Sequence, residues 1–148
     1  MKKKLMIAGP VLLLVLAFVA KTMFLAPAPP DLKALAKEPG PTYTLKDPFV
    51  VNLADGNASP HFAKVGVALR FSMLSAADII PAKGTAPATT ESDAELRDIV
   101  IATLQKHTSA QLSESAGRDD VKKQIVEAVN KRTKLKILDV YYTEFAVQ

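Results

Sequence analysis

An uncharged apolar run, LMIAGPVLLLVLAFVA from Leu5 to Ala20, stands directly behind Lys2, Lys3 and Lys4. As a helix it reaches only ~24 Å at ~1.5 Å per residue, short for a bilayer. Lys21 need not end the span, because its long side chain can reach back to the headgroups. Met23, Phe24 and Leu25 then carry it towards the ~20 residues a crossing requires. Pro10 is tolerable near the entry end, where freed backbone groups find water or partners. The expected membrane-anchor residues are Leu5, Val11, Leu14, Phe18, Phe24 and Leu25.

A cleaved signal peptide has similar n- and h-regions but needs small residues three and one before the cut. Ala20 is paired with Phe18 and Ala26 with Phe24, both too large. A cut after Ala28 would be blocked by Pro29. The run therefore reads as an uncleaved single-pass anchor. Its lysines stay in the cytoplasm by the positive-inside rule, and the remaining chain faces outward, which in a Gram-negative cell means the periplasm.

The net charge of +4 belongs to this flank, since Lys2, Lys3, Lys4 and Lys21 are the only charges before Asp31. Beyond them, as many basic as acidic residues follow, so the folded part lacks the basic face that phosphate binding demands. The chain has no cysteine. Thiol nucleophiles, iron–sulfur clusters, Cys-based zinc sites and a lipid-modified N-terminus are thereby excluded.

Residues 27–42 read as a linker whose prolines favour extended, semi-rigid backbone. Within it DLKALAKE can form about two helical turns with Asp31 as N-cap. Tyr43–Leu45 and Phe49–Ala54 read as strand, with Pro48 at an edge or bulge, before turn residues Asp55-Gly56-Asn57. Ala63, Val65, Val67, Leu69 and Phe71 alternate with Lys64, Gly66, Ala68, Arg70 and Ser72, a strand with one buried face.

Residues 75–91 read as an exposed loop. Ser92 and Glu95 have capping-box spacing, and Leu96, Ile99, Val100, Thr103 and Leu104 form the stripe of a helix ending near Lys106. Thr108 with Gln111 opens a short turn that Gly117 breaks. A second helix starts near Arg118 or Asp119, with the stripe Val121, Ile125, Ala128 and Val129. The last strand runs from Lys136 to Val147. Strict alternation puts Ile137, Tyr141, Phe145 and Val147 on one face, and Leu138, Val140 and Tyr142 on the other. The expected class is α+β: one N-terminal transmembrane helix (residues 1–26 with its flank), the linker 27–42, and a ββααβ domain over 43–148. The last strand is expected antiparallel to the second.

Catalytic patterns are missing from the sequence. His61 and His107 are far apart and partly exposed in expectation, with no further His or Cys to complete a zinc site. Asp119 and Asp120 suit a helix N-terminus, and Asp139 and Glu144 differ in parity, so neither pair converges. Ser109, Ser113 and Ser115 lack a nucleophile elbow and suit turn or capping roles. No cofactor is expected. Tyr141, Tyr142 and Phe145, on a strand that can lie at a sheet edge, are ordinary core residues in the plainer reading. In the other they face a partner, together with Phe24 and Leu25 at the outer membrane boundary.

The chain resembles the flagellar basal body-associated protein FliL family. The resemblance is carried by the Lys-flanked anchor, by Asp47-Pro48-Phe49-Val50-Val51-Asn52-Leu53 and by Val65-Gly66-Val67-Ala68-Leu69-Arg70-Phe71. The helical block from Leu96-Arg97-Asp98 and the ending Leu138-Asp139-Val140-Tyr141-Tyr142-Thr143-Glu144-Phe145-Ala146-Val147-Gln148 complete it. The resemblance implies a non-enzymatic, single-pass inner-membrane protein of the flagellar basal body. Its periplasmic domain would be like stomatin-type (SPFH-like) scaffold domains and form a homo-oligomeric ring. Its implied partners are the flagellar stator proteins, and its implied roles are motility, swarming and torque. The alternative is a membrane-anchored periplasmic adaptor or sensor domain for a peptide or small molecule, which a deep apolar pocket would favour.

Overall fold

The structure, a computed structural model, describes residues 30–56, 60–79 and 89–148, leaving aside the side chains of 89–91. The element order is α1 (Leu32–Leu35), β1 (Pro39–Thr44), β2 (Phe49–Asn52), β3 (Phe62–Ser72), a 3₁₀ turn (Met73–Ser75), α2 (Ala76–Ile79), α3 (Thr89–Leu104), α4 (Ser109–Ser113), α5 (Ser115–Arg132) and β4 (Ile137–Val147). Every strand pairing is antiparallel, so this is a mixed α+β domain with β3 at its centre.

β1 and β2 lie end to end along one side of β3. β1 pairs with the end of β3 (Thr42↔Arg70, Thr44↔Ala68) and β2 with its start (Phe49↔Val65, Asn52↔Phe62). Leu45 N–H still donates to Val67 (2.9 Å), and the edge then breaks over Lys46, Asp47 and Pro48. Asp47 takes φ +56°, left-handed backbone that a non-glycine residue occupies at some cost. Arg97 of α3 holds the break. Its guanidinium donates to the carbonyls of Lys46 and Asp47 and lies 4.9 Å from the centroid of the Phe49 ring. Pro48, without an N–H, thus stands on an edge, where it interrupts no central ladder.

The β3 alternation holds. Ala63, Val65, Val67, Leu69 and Phe71 are fully buried and join the stripes Leu96, Ile99, Val100, Leu104 of α3 and Val121, Ile125, Val129 of α5 in one core. Thr103 is buried with them because its hydroxyl donates to the Ile99 carbonyl at 2.8 Å. β4 runs antiparallel to β3 along its other side, as expected.

The two-faced pattern expected for β4 is wrong. Between Phe71↔Ile137 and Arg70↔Asp139, β4 advances two residues for one of β3, and it does so again between Val67↔Tyr142 and Gly66↔Glu144. Leu138 and Thr143 are the extra residues of two β-bulges, and each bulge reverses the parity of the strand. Ile137, Val140, Tyr142, Phe145 and Val147 therefore oppose Phe71, Leu69, Val67, Val65 and Ala63 on the core face. Tyr141 opposes Ala68 on the outer face, and Asp139 and Glu144 share that face instead of opposing each other. Gly66 makes room for the second bulge, since a Cβ there would run into the Thr143 hydroxyl.

The helices also depart from expectation. α1 is a single turn, and β1 begins at Pro39, ahead of the expected Tyr43. α2 lies inside the expected loop. α3 starts at Thr89, so Ser92 and Glu95 sit within the helix and do not cap it. The Thr108–Gln111 capping box is present in full, with N–H···O distances of 3.0 and 3.3 Å. Gly117 does not break the chain but lies in the first turn of α5, which starts at Ser115. Its missing side chain lets the Gln111 carbonyl of α4 press against it, and a Cβ would collide with that oxygen.

Gly117→Ala tests this packing. In an exposed helix the change stabilises by about 1 kcal/mol. Here urea unfolding should show a loss of about 2–3 kcal/mol, because backbone must move. A gain would show that α4 and α5 are not so closely apposed.

Candidate functional site

The expected anchor residues Leu5, Val11, Leu14, Phe18, Phe24 and Leu25 lie outside the described residues. Among the described residues no helix is long and apolar enough to cross a membrane. The candidate site that can be built from side chains is the C-terminal strand and the helix start beside it.

Tyr142 and Phe145 pack ring on ring with centroids 4.9 Å apart, tilted by 51°. The β4 bulge at Thr143 puts them on one face despite their odd spacing. Two cations of α5 cover them: Arg118, 5.8 Å from the Phe145 centroid, and Lys122, 5.3 Å from that of Tyr142. The Arg118 guanidinium also donates to the carbonyls of Leu112 (2.9 Å) and Ser113 (2.7 Å), closing the open end of α4. Tyr142 OH donates to the Arg118 carbonyl at 3.4 Å. Burial raises the Tyr142 pKa, the Arg118 charge opposes this and Asp119 adds to it, leaving the phenol pushed up to about 12. These contacts hold β4 to α4 and α5.

Tyr141 is placed differently. It is exposed on the outer face of the sheet, where its hydroxyl accepts from Arg70 at 3.5 Å. Val50 and Phe62 are exposed on the same face by register, and Lys64 pairs with Glu144 across it at 2.5 Å. Of the three aromatic residues expected to face a partner, only Tyr141 is on the open face.

A second cluster escaped the sequence reading. Asp55, in the turn after β2, accepts from both Ser109 N–H (2.8 Å) and Ser109 Oγ (2.7 Å), and His61 Nδ1 stands 3.7 Å from the same carboxylate. The residue types are those of a hydrolytic triad, but the order is wrong. The carboxylate lies between serine and imidazole, so the histidine cannot take the serine proton. The cluster is a tie between the β2–β3 turn and the start of α4, reinforced by Ala54 N–H donating to the His107 carbonyl at 2.9 Å. Partial burial raises the Asp55 pKa, but the Ser109 hydrogen bonds and the His61 charge outweigh it and hold the carboxyl below its ordinary value. His107 is buried, not partly exposed, and its Nε2 meets Gln124 Oε1 at 3.2 Å.

Among the described residues no group of three His, Cys, Asp or Glu side chains could hold a metal ion. Two open, shallow grooves, of about 610 and 490 Å³, carry charged side chains, Asp78, Glu95, Arg132 and Lys134 in the first and Asp119, Lys122, Lys123 and Glu127 in the second. Neither is the deep apolar pocket that a small-molecule sensor would need.

The family described as flagellar basal body-associated protein FliL matches residues 42–148, the greater part of the chain and nearly all of the domain. The chain is also similar to the flagellar protein FliL of Aquifex aeolicus (strain VF5), with 26% identity over 117 residues. That match covers 78% of this chain and 66% of the relative's own length, just under two thirds.

Two titrations test the geometry. Tyrosinate absorbance should show one phenol ionising near pH 12, a step that Tyr142→Phe removes. If all three tyrosines titrate together near the free value of about 10, Tyr142 is not buried against β3 and α5. For Asp55 the folded pKa lies below the unfolded one, so its contribution is complete above the unfolded value of 3.8 and lost as pH falls through the folded value. Thermal unfolding between neutral and acid pH should therefore show a shallower acid decline for Asp55→Asn than for the parent chain. Identical slopes would remove the tie.

Proposed function

The chain belongs to the FliL family of flagellar basal body-associated proteins, a non-enzymatic family, and on that premise we propose that it is a membrane-anchored accessory of the flagellar motor. Residues 1–26 would cross the inner membrane once, with Lys2, Lys3 and Lys4 in the cytoplasm and the domain in the periplasm. The part of the linker ahead of α1, residues 27–31, would set the height of the domain above the membrane, since α1 and β1 already belong to the domain. In this reading copies assemble as a ring near the basal body, in the manner of stomatin-type scaffolds, and associate with the stator units to support motility, swarming and torque.

The observation that carries the proposal is the family match across the domain, residues 42–148. The geometry adds a mechanical logic. The side chains that look chemical are engaged in joining elements: Arg97 at the β1–β2 break, Asp55 at α4, Arg118 and Tyr142 at the β4–α5 seam. Such a body transmits position and supplies surface. Many copies would turn weak contacts into lasting association through high effective concentration. Phe24 and Leu25 would meet the stator helices at the outer membrane boundary. Tyr141 on the open sheet face is the aromatic residue of β4 placed to meet a partner without breaking the core.

A photo-crosslinkable residue at Tyr141, and another at Leu35 at the end of α1, tests this in motile cells. Stator proteins and second copies of the chain are the expected captures, and deletion should reduce swarming most under high viscous load. Capture of unrelated envelope proteins alone, with motility under load unchanged on deletion, would refute the motor role.

A further inference from the structure

The end of the domain where the chain enters carries an apolar patch. Leu32 of α1 is 61% exposed, and Met73 and Leu74, side by side in the 3₁₀ turn, are 41% and 40% exposed. Single exposed apolar residues are ordinary, but these three belong to one place. α1 packs beside the turn, Met73 N–H donates to the Glu38 carbonyl (2.9 Å), and Gly40 is pressed so closely on Ser72 and Met73 that a Cβ would lie 2.8 Å from the Ser72 carbonyl. The turn is braced from the other side as well. Ser72 N–H donates to the Lys136 carbonyl (2.9 Å), and Lys136 N–H to the Ser75 hydroxyl (2.8 Å). Met73 and Leu74 are thus held outward on fixed backbone, not left on a loose loop. Such a position costs solvation unless something apolar meets it.

The length of the preceding chain says what that is. From Leu25, the last residue of the apolar extension, to Leu32 the chain reaches no more than ~25 Å even when fully extended. The headgroup layer itself takes up several ångströms of that reach. Lys33 lies within α1 and Lys37 just after it, while Asp31, Glu38 and Asp78 stand around the same end, so the charges roughly cancel and the contact would be apolar in character.

We propose that this end of the domain rests on the lipid surface, with Leu32, Met73 and Leu74 seated at the headgroup–acyl boundary. The contact rests on the anchor reading given above and adds to it. The anchor tethers the domain, and the patch sets its tilt, so that each copy presents the same side to its neighbours in the membrane plane. Because the seat is apolar, it should persist in high salt, unlike the attachment of a basic patch to acidic headgroups.

The absence of cysteine allows a single probe at any position. The whole chain, carrying one cysteine in turn as Leu14→Cys, Leu32→Cys, Met73→Cys, Leu74→Cys or Val50→Cys, is labelled with a nitrobenzoxadiazole fluorophore. It is then reconstituted into phosphatidylethanolamine–phosphatidylglycerol vesicles containing lipids spin-labelled either high on the acyl chain, to read positions 32, 73, 74 and 50, or near the chain end, to read position 14. Quenching at 32, 73 and 74 should exceed that at 50 several-fold, with blue-shifted emission, in low and high salt alike. Quenching at 14 but not at 32, 73 or 74 would overturn the surface contact while leaving the anchor standing. Blue-shifted but unquenched probes at 73 and 74, dependent on protein density, would mean that a second copy covers the patch, and the proposal would fall. No quenching at 14 would remove the anchor and the surface contact together.

Discussion

The whole domain depends on one dry face of one strand. β3 is paired along both sides, and its odd-numbered side chains from Ala63 to Phe71 are fully buried under α3 and α5. Val65, Val67, Leu69 and Phe71 each contribute roughly 1.5–3 kcal/mol on burial, whereas exposed ion pairs such as Arg132–Asp98 and Lys122–Asp119 add about 0–1 kcal/mol. The core therefore decides the fold, and the surface charges tune it. Everything with a polar role is arranged around that face. Arg97 steadies the edge where β1 gives way to β2, Asn130 of α5 both donates to and accepts from Ile137 where β4 begins, and Asp55 fastens the β2–β3 turn to α4.

How much of this was legible in the sequence follows from how local each signal is. The β3 alternation, the apolar stripes of α3 and α5 and the Thr108–Gln111 capping box are written within a few residues, and the structure has them all. The parity of β4 is not local. Two bulges reverse it, and the reason for one of them lies on another strand, in the room that Gly66 gives to Thr143. The same holds for Gly117, which reads as a helix breaker until the Gln111 carbonyl is seen against it. The Asp55–Ser109 tie joins residues far apart in sequence, and no spacing rule could have found it. The family resemblance was legible because it rests on contiguous stretches. The division of labour among Tyr141, Tyr142 and Phe145 was not, because it depends on the bulge between them.

That division bears on what the protein can do. A terminal strand free to leave its sheet could serve as an arm that pairs with a neighbour. Here Tyr142 and Phe145 are held under Arg118 and Lys122, and the end of the chain is closed by reciprocal hydrogen bonds between Phe62 and Gln148, both 2.8 Å. Association with other proteins would then use the standing surface of a rigid body, not strand exchange. A rigid body suits the proposed role beside the flagellar motor, where a yielding contact would lose position under load.

Paired from Ala63↔Val147 to Phe71↔Ile137, β3 and β4 form one cooperative unit from which the last strand does not detach. Native-state amide hydrogen exchange measures this directly. The ladder amides of β4 should exchange only with the global unfolding seen for β3, with the same dependence on denaturant. Exchange of the β4 amides well ahead of those of β3, in a separate low-energy opening, would contradict the account and make the C-terminal strand a detachable arm.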